Sequence, residues 1–184
     1  MRYLPYICDA RTCSLQVREN RGFVSSGVLL GLEDVPALLA LEQSCFGTEG
    51  FSDAQLRQML AARYGLAIGI WEEETLVGAA LLEVLVPESE LQSLAVLPAK
   101  RRRGLGAALL KSALSVARKR GATEMFLEVR RSNQAAIALY QQAGFTSLSV
   151  RRGYYSHPRE DALVMRKRLA SPSPGPVGAE ITSP

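Results

Sequence analysis

The 184 residues predict a mixed α/β domain in which strands alternate with helices. Three observations carry this. Residues 66–71 and 76–86 are apolar runs of strand length, parted by the acidic turn Glu72-Glu73-Glu74. Residues 104–120 repeat apolar side chains at helical spacing. Segments of the two kinds then follow one another in alternation along the chain.

Val28 opens the patterned chain. Glu33 and Asp34 place acids ahead of Val35 and Pro36, and apolar helix formers follow, so a helix is expected from there to about Cys45. Ser52 caps a second helix over 53–63, with Leu56, Met59 and Leu60 on one face. The hairpin of 66–71 and 76–86 comes next, and then a strand over 90–97. The helix over 104–120 turns Leu105, Leu109, Ala113, Val116 and Ala117 inward, and Gly121 stops it. A strand over 123–129, a helix over 132–143 capped by Ser132 and ended by Gly144, and an antiparallel pair over 146–152 and 162–168 complete a domain spanning 28–169. Residues 1–27 have neither periodicity and read as a poorly ordered N-terminal extension. Four of the nine prolines lie beyond Ala170, so residues 170–184 read as a disordered Pro/Ser-rich tail.

Composition removes several classes of function. The longest apolar stretch, 76–86, contains Gly78 and Glu83 and is far shorter than the roughly 20 residues a bilayer needs, so no membrane partner is expected. Cys8, Cys13 and Cys45 are too few and scattered for a disulfide scaffold, and nothing stands at zinc-ligand spacing; a cytoplasmic setting and no metal are expected. The single histidine, His157, sits in a Ser-His-Pro-Arg loop and reads as solvated. The net charge of +4 conceals a division: residues 26–90 hold two basic against eleven acidic side chains, net −9, and residues 91–169 hold sixteen against four, net +12. Either one half meets an anion and the other a cation, or the two neutralise each other.

The most specific local pattern runs from Arg101 through Arg102, Arg103, Gly104, Leu105 and Gly106 to Ala107, directly after a strand and opening a helix. Glycines there let a ligand approach the backbone, and the first N–H groups of the helix form an anion site that Lys100 to Arg103 would reinforce. A Walker loop is excluded, because Lys111 and Ser112 lie too far beyond Gly104 and no glycine stands just before the lysine. A dinucleotide fingerprint fails as well, since Leu109 occupies its third glycine position. A glycine turn with solvated arginines, or a basic patch for RNA, remains compatible with the loop by itself.

Here the chain resembles the GNAT superfamily of N-acetyltransferases. Their pyrophosphate signature, Gln/Arg-x-x-Gly-x-Gly/Ala, is met by Arg101, Gly104 and Gly106. The segments 127–133, 136–140 and Gly144-Phe145 follow in the order and at the spacing of that fold, and 151–155 with 160–165 are similar to the RimI-type ribosomal protein alanine N-acetyltransferases. The resemblance covers about 28–169. It implies a mixed, mostly antiparallel central sheet flanked by helices, with a splayed strand before the phosphate loop. It also implies acetyl-CoA as co-substrate, bound by the backbone of Leu94, Ala95 and Val96, by residues 101–107, and by Asn133. Leu97 and Gly153 depart from the family pattern, which often has an acidic residue and an asparagine there, and the loop 156–159 is short.

Acetyl transfer from a thioester needs a neutral amine, donors for the oxyanion and a proton for the departing sulfur. An α-ammonium with a pKa near ~8 is mostly protonated at neutral pH, so a carboxylate that accepts its proton is useful. In the strand over 123–129, Met125, Leu127 and Val129 share one face and Glu128 lies on the other, at the end where α/β sites open. Glu128 is therefore either the base or a rim carboxylate paired with Arg130 or Arg131, and the resemblance implies the base. Tyr140 stands at core spacing beside Ala136 and Ala143, and its hydroxyl could also protonate sulfur; the resemblance implies the general acid. Few side chains are available for the oxyanion, so backbone N–H groups are expected to serve it.

Within the family the amines acetylated are diverse, and the charge division narrows the choice. The basic half suits coenzyme phosphates, leaving the acidic half, with Glu88 and Glu90, to meet a cation. The expected acceptor is a basic N-terminal segment of a small-subunit ribosomal protein, acetylated at its N-terminal alanine by direct transfer in a ternary complex, with no nucleic acid bound directly. Other basic amines, or a non-catalytic acyl-CoA sensor, are the alternatives. Cys45 reads as packing, Glu72 to Glu74 as a solvated turn, and Phe51 and Trp71 as core or acceptor groove.

Overall fold

A computed structural model describes residues 27–169; the extension and tail expected at 1–27 and 170–184 lie outside the described residues, Gly27 excepted. In chain order the elements are β1 (Val28–Leu30), α1 (Val35–Phe46), α2 (Asp53–Ala61), β2 (Gly65–Glu72), β3 (Thr75–Leu85), β4 (Glu88–Val96), α3 (Leu105–Lys119), β5 (Glu124–Arg130), α4 (Gln134–Gln142), β6 (Thr146–Ser156) and β7 (Arg159–Arg168). Seven strands form one sheet in the order β1-β2-β3-β4-β5-β7-β6. It is mixed and mostly antiparallel: β1 with β2, β5 with β7 and β6 with β7 run antiparallel, and β4 with β5 runs parallel. Among the described residues no helix is long and apolar enough to cross a membrane.

The contacts divide the described chain into two units, residues 27–82 with 93–112 and residues 83–92 with 113–169. In the first, Val35, Leu38 and Leu41 of α1 and Leu56 and Met59 of α2 are buried with Leu30, Ala67, Leu76, Ala79, Leu81 and Ala95 of the strands. The stripe of α1 follows helical spacing and draws Glu42 in with it. Helix α2 begins at a reciprocal cap, in which the Ser52 N–H donates to Gln55 Oε1 at 2.9 Å and the Gln55 N–H to Ser52 Oγ at 3.4 Å. Phe51 and Trp71 are partly buried and pack against this core.

In the second unit, β5 alternates strictly: Met125, Leu127 and Val129 are buried, and the residues between them are half-buried. Its pairing with β4 runs from Glu88 opposite Glu124 to Leu91 opposite Leu127 and ends there, while β4 continues to Val96 and β5 to Arg130. Strand β4 begins two residues earlier than expected because Glu88 and Ser89 join the ladder, with Ser89 Oγ donating to the Glu124 carbonyl at 2.9 Å.

Three local expectations are corrected. Helix α4 is capped by Asn133, whose Oδ1 accepts from the Ala136 N–H at 3.1 Å; Ser132 instead donates its N–H and hydroxyl to Glu160 at 2.6 and 3.0 Å. The closing strands are longer than 146–152 and 162–168, because Gly153 makes a bulge and does not end the strand. Pairing shifts after Arg151 opposite Ala162 and resumes at Tyr155 opposite Glu160. Gly153 has φ +61 and its N–H donates to Asp161 Oδ1 at 2.8 Å. Glu72 is not simply solvated, since it pairs with Lys100.

Candidate active site

Within the first unit the phosphate-loop residues are built by chain geometry. A 3-10 turn, Pro98–Lys100, ends β4, and Arg102 and Gly104 take positive φ of 65 and 80 before α3 begins. The first hydrogen bond into the helix is Ala108 N–H to the Gly104 carbonyl, at 3.0 Å. The N–H groups of Leu105, Gly106 and Ala107 precede it and, as in any helix, have no acceptor within the helix. A methyl group added at Gly104 would meet nothing within 4 Å, so the turn opens onto free space. The residues present thus fit an anionic group.

The four cations are not equivalent. Lys100 Nζ is 2.5 Å from Glu72 Oε2, and Arg101 Nε donates to the Val96 carbonyl at 3.1 Å. Arg101 therefore holds the end of β4 and bonds the Cys45 thiol, which burial pushes above its usual pKa, in keeping with a packing role. Arg102 and Arg103 are exposed and have no ion pair or hydrogen bond among the described residues. Of the expected backbone contacts, the Val96 carbonyl is the one Arg101 occupies, while Leu94 and Ala95 lie in β4 beyond its last pairing with β5.

The second unit holds a cavity of about 380 Å³. Its wall includes Glu83 of β3, Glu88 and Glu90 of β4, Phe126 and Glu128 of β5, and Arg151 of β6. Glu128 thus faces the cavity from the side of β5 that the alternation assigns it. Its ion-pair partner is Arg151, not Arg130 or Arg131. Arg130 is instead engaged by Glu160 at 3.2 Å, and its guanidinium lies 4.0 Å from the Tyr155 ring centre. The Tyr154 hydroxyl also hydrogen-bonds Glu128, and this bond, followed by burial, pushes the phenol up to about 12.

Glu90 is shifted too. Burial first, then the charges of Glu128 and Glu83, raise its carboxyl above the usual range, while Arg151 and Gln92 pull it down. Tyr140 is buried in α4 with its ring 5.8 Å from that of Phe145 in an edge arrangement. Burial, and secondarily Tyr155, raises its phenol well above the usual value, so it carries its proton at physiological pH. His157 is exposed, as expected, and its carbonyl accepts from Arg130 at 3.2 Å. Among the described residues no three His, Cys, Asp or Glu side chains are arranged to hold a metal ion.

The structure gathers Glu88 and Glu90 with Glu128 on one cavity wall and adds residues that sequence reasoning missed. Arg151 and Tyr154 reach one carboxylate only because of the Gly153 bulge. Glu42 is buried in the first unit, accepting from Ser93 Oγ at 2.6 Å and from the Phe51 N–H at 3.2 Å. Its signal was an acid at an apolar-stripe position of α1, four residues after Leu38.

Residues 35–145 match the acetyltransferase (GNAT) family. The chain is 37% identical over 134 residues to the [ribosomal protein bS18]-alanine N-acetyltransferase of Escherichia coli K12, covering 72% of this chain and 89% of that protein. The crystal structure of the E. coli ribosomal-protein-S18-alanine N-acetyltransferase superposes with a TM-score of 0.73 at 31% identity, covering 84% of this chain and 99% of that one. The fold also matches, at 21% identity and a TM-score of 0.65 over 78% of this chain and 99% of that one, an N-acetyltransferase of Thermoplasma acidophilum in complex with coenzyme A. The GNAT family uses acetyl-CoA, and the chain belongs to it as a RimI-like N-acetyltransferase.

Proposed function

We propose that the protein transfers the acetyl group of acetyl-CoA to the α-amine of a basic polypeptide N-terminus, the N-terminal alanine of a small-subunit ribosomal protein. The identity to bS18-alanine N-acetyltransferases carries this reading. The four carboxylates Glu83, Glu88, Glu90 and Glu128 on one cavity wall support it, because they suit a cationic acceptor.

In this reading Arg102 and Arg103, with the N–H groups of Leu105, Gly106 and Ala107, hold the pyrophosphate, and Leu94 and Ala95 offer backbone groups to the pantetheine arm and thioester carbonyl. Arg101 acts on the coenzyme through the end of β4 that it ties down. Asn133 has its Oδ1 committed to the α4 cap, so its amide nitrogen is the group left for coenzyme.

Glu128 takes the proton of the acceptor ammonium, directly or through water. The freed amine attacks the thioester carbon, the tetrahedral oxyanion collapses, the C–S bond breaks and the sulfur receives a proton from Tyr140, while the proton that the attacking nitrogen sheds on becoming an amide passes through water to restore the tyrosine. Both substrates are present together and no acyl-enzyme forms. The products are the N-acetylated chain and coenzyme A with its thiol restored.

Incubation with labelled acetyl-CoA and a bacterial ribosomal protein mixture, read by peptide mass spectrometry, tests the acceptor. Label at an N-terminal alanine is expected. Label confined to lysine side chains would overturn the N-terminal reading, and label on a different N-terminus would replace the substrate.

A further inference from the structure

Glu128 and its cation are unequal partners. The Glu128 side chain is 13% exposed and the Arg151 side chain 59%, so the carboxylate is a fixed part of the cavity wall and the guanidinium reaches it from solvent. Arg151 is also the one cation among the described residues lining the cavity, where four of their carboxylates face it. Its place is set by the backbone: in a regular strand, residues three apart point to opposite faces, yet Arg151 and Tyr154 both reach Glu128, because the ladder of β6 slips between Arg151 and Tyr155.

We infer that Arg151 is a displaceable stand-in for the acceptor's ammonium: it occupies Glu128 in the free protein and leaves when the amine arrives. The inference rests on the proposed acceptor chemistry and adds a positioning residue to it. The guanidinium end of the pair stands in solvent and regains its hydration on leaving, while the arriving ammonium keeps the buried carboxylate paired, so the exchange leaves no uncompensated buried charge. While Arg151 is in place its charge opposes the repulsion that Glu128 and Glu83 exert on the Glu90 carboxyl; Tyr154 is a further titratable group beside Glu128. The arriving ammonium brings the same charge to the same oxygen, so the net charge of the cluster is unchanged by the exchange. The guanidinium, which never loses its proton, cannot be acetylated in its place.

The test compares wild type with Arg151→Gln, Arg151→Met and Arg151→Lys, all loaded with coenzyme A for binding and with acetyl-CoA for turnover. A short peptide with a free N-terminal alanine followed by basic residues is the acceptor, and alaninamide is the binding probe, read by calorimetry without turnover. The neutral variants are expected to bind alaninamide about two- to fivefold tighter and to lower the peptide KM by a similar factor, as loss of a weak competing ion pair requires. The acidic limb of the kcat/KM profile should move to higher pH, because the Glu90 carboxyl, which Arg151 pulls down, then lacks that cation. Arg151→Lys should restore both toward wild type. Weaker alaninamide binding in the neutral variants would overturn the inference by making Arg151 an acceptor contact, and unchanged binding and pH profile would make it a bystander. Should wild type acetylate no N-terminal peptide while the neutral variants still tighten on alaninamide, the acceptor reading fails and the displacement stands. Coenzyme binding and thermal unfolding identify any variant that does not fold, and the second neutral substitution then decides.

Discussion

Ser93 of β4 donates a 2.6 Å hydrogen bond to Glu42 of α1, placing an acid at the centre of the first unit's apolar packing. Burial pushes the Glu42 carboxyl above its ordinary value of 4.5, although the Ser93 hydroxyl and the Phe51 N–H, which both donate to it, pull the other way. The folded state therefore prefers the protonated form. Stability from this group is complete below the unfolded pKa and is lost as pH rises through the raised folded one. Urea unfolding of wild type should show that decline above about pH 4.5, and Glu42→Gln should flatten it. Glu42→Ala, which leaves the Phe51 N–H and Ser93 hydroxyl without their acceptor, is expected to cost about 2 kcal/mol.

Glu128→Gln removes the carboxylate proposed to deprotonate the acceptor while preserving its size. Turnover should fall by about a hundred- to ten-thousand-fold, the range of acid–base assistance, with the coenzyme A affinity unchanged. Tyr140→Phe should likewise depress kcat and leave coenzyme binding intact. Steady-state rates with the N-terminal peptide, set against calorimetric coenzyme binding, check both, and unchanged rates in the two variants would remove the assigned roles.

Arg102 and Arg103 differ from their neighbours in having no partner among the described residues. Each replacement by alanine is expected to weaken acetyl-CoA binding by about fivefold, or ~1 kcal/mol, and to make it less sensitive to salt. Lys100→Ala should change coenzyme affinity less, because Lys100 is committed to Glu72. Titrations at two ionic strengths separate these cases.

Gly153 holds φ +61, and a methyl group there would meet first the Arg159 Nε at 3.2 Å, the far end of a flexible side chain. Backbone conformation therefore decides what fits. Asparagine, the residue the family pattern has at this position, adopts the left-handed region readily, so Gly153→Asn should leave the melting temperature nearly unchanged. Gly153→Val should lose about 1–2 kcal/mol and, by disturbing the bulge, loosen Arg151 and Tyr154 from Glu128. Thermal unfolding and the peptide KM report the two effects separately.

What could be read without coordinates was local. The phosphate loop is a run of adjacent residues whose chemistry depends on a glycine turn and a helix start, and the face of Glu128 follows from the two-residue period of one strand. Strand ends were less legible: Gly153 reads as a terminus in the sequence and is a bulge in the ladder, because its left-handed conformation inserts extra residues without ending the pairing. The α4 cap was misplaced by one residue for a related reason, since Glu160 of β7 claims the Ser132 hydroxyl and leaves the cap to Asn133.

By itself the sequence determined the alternating α/β pattern, the anion-binding turn at 101–107 and the inward and outward faces of β5, since periodicity and turn chemistry act over a few residues. It also showed an acidic and a basic half, but not that Glu83, Glu88 and Glu90 of the first line the same cavity as Glu128 and Arg151 of the second. Only the tertiary structure decided that, together with the choice of Arg151 over Arg130 for Glu128 and the burial of Glu42 beneath Ser93. These pairings join residues far apart in sequence. Their energies depend on which strands become neighbours and how much water is excluded between them, quantities that no stretch of adjacent residues encodes.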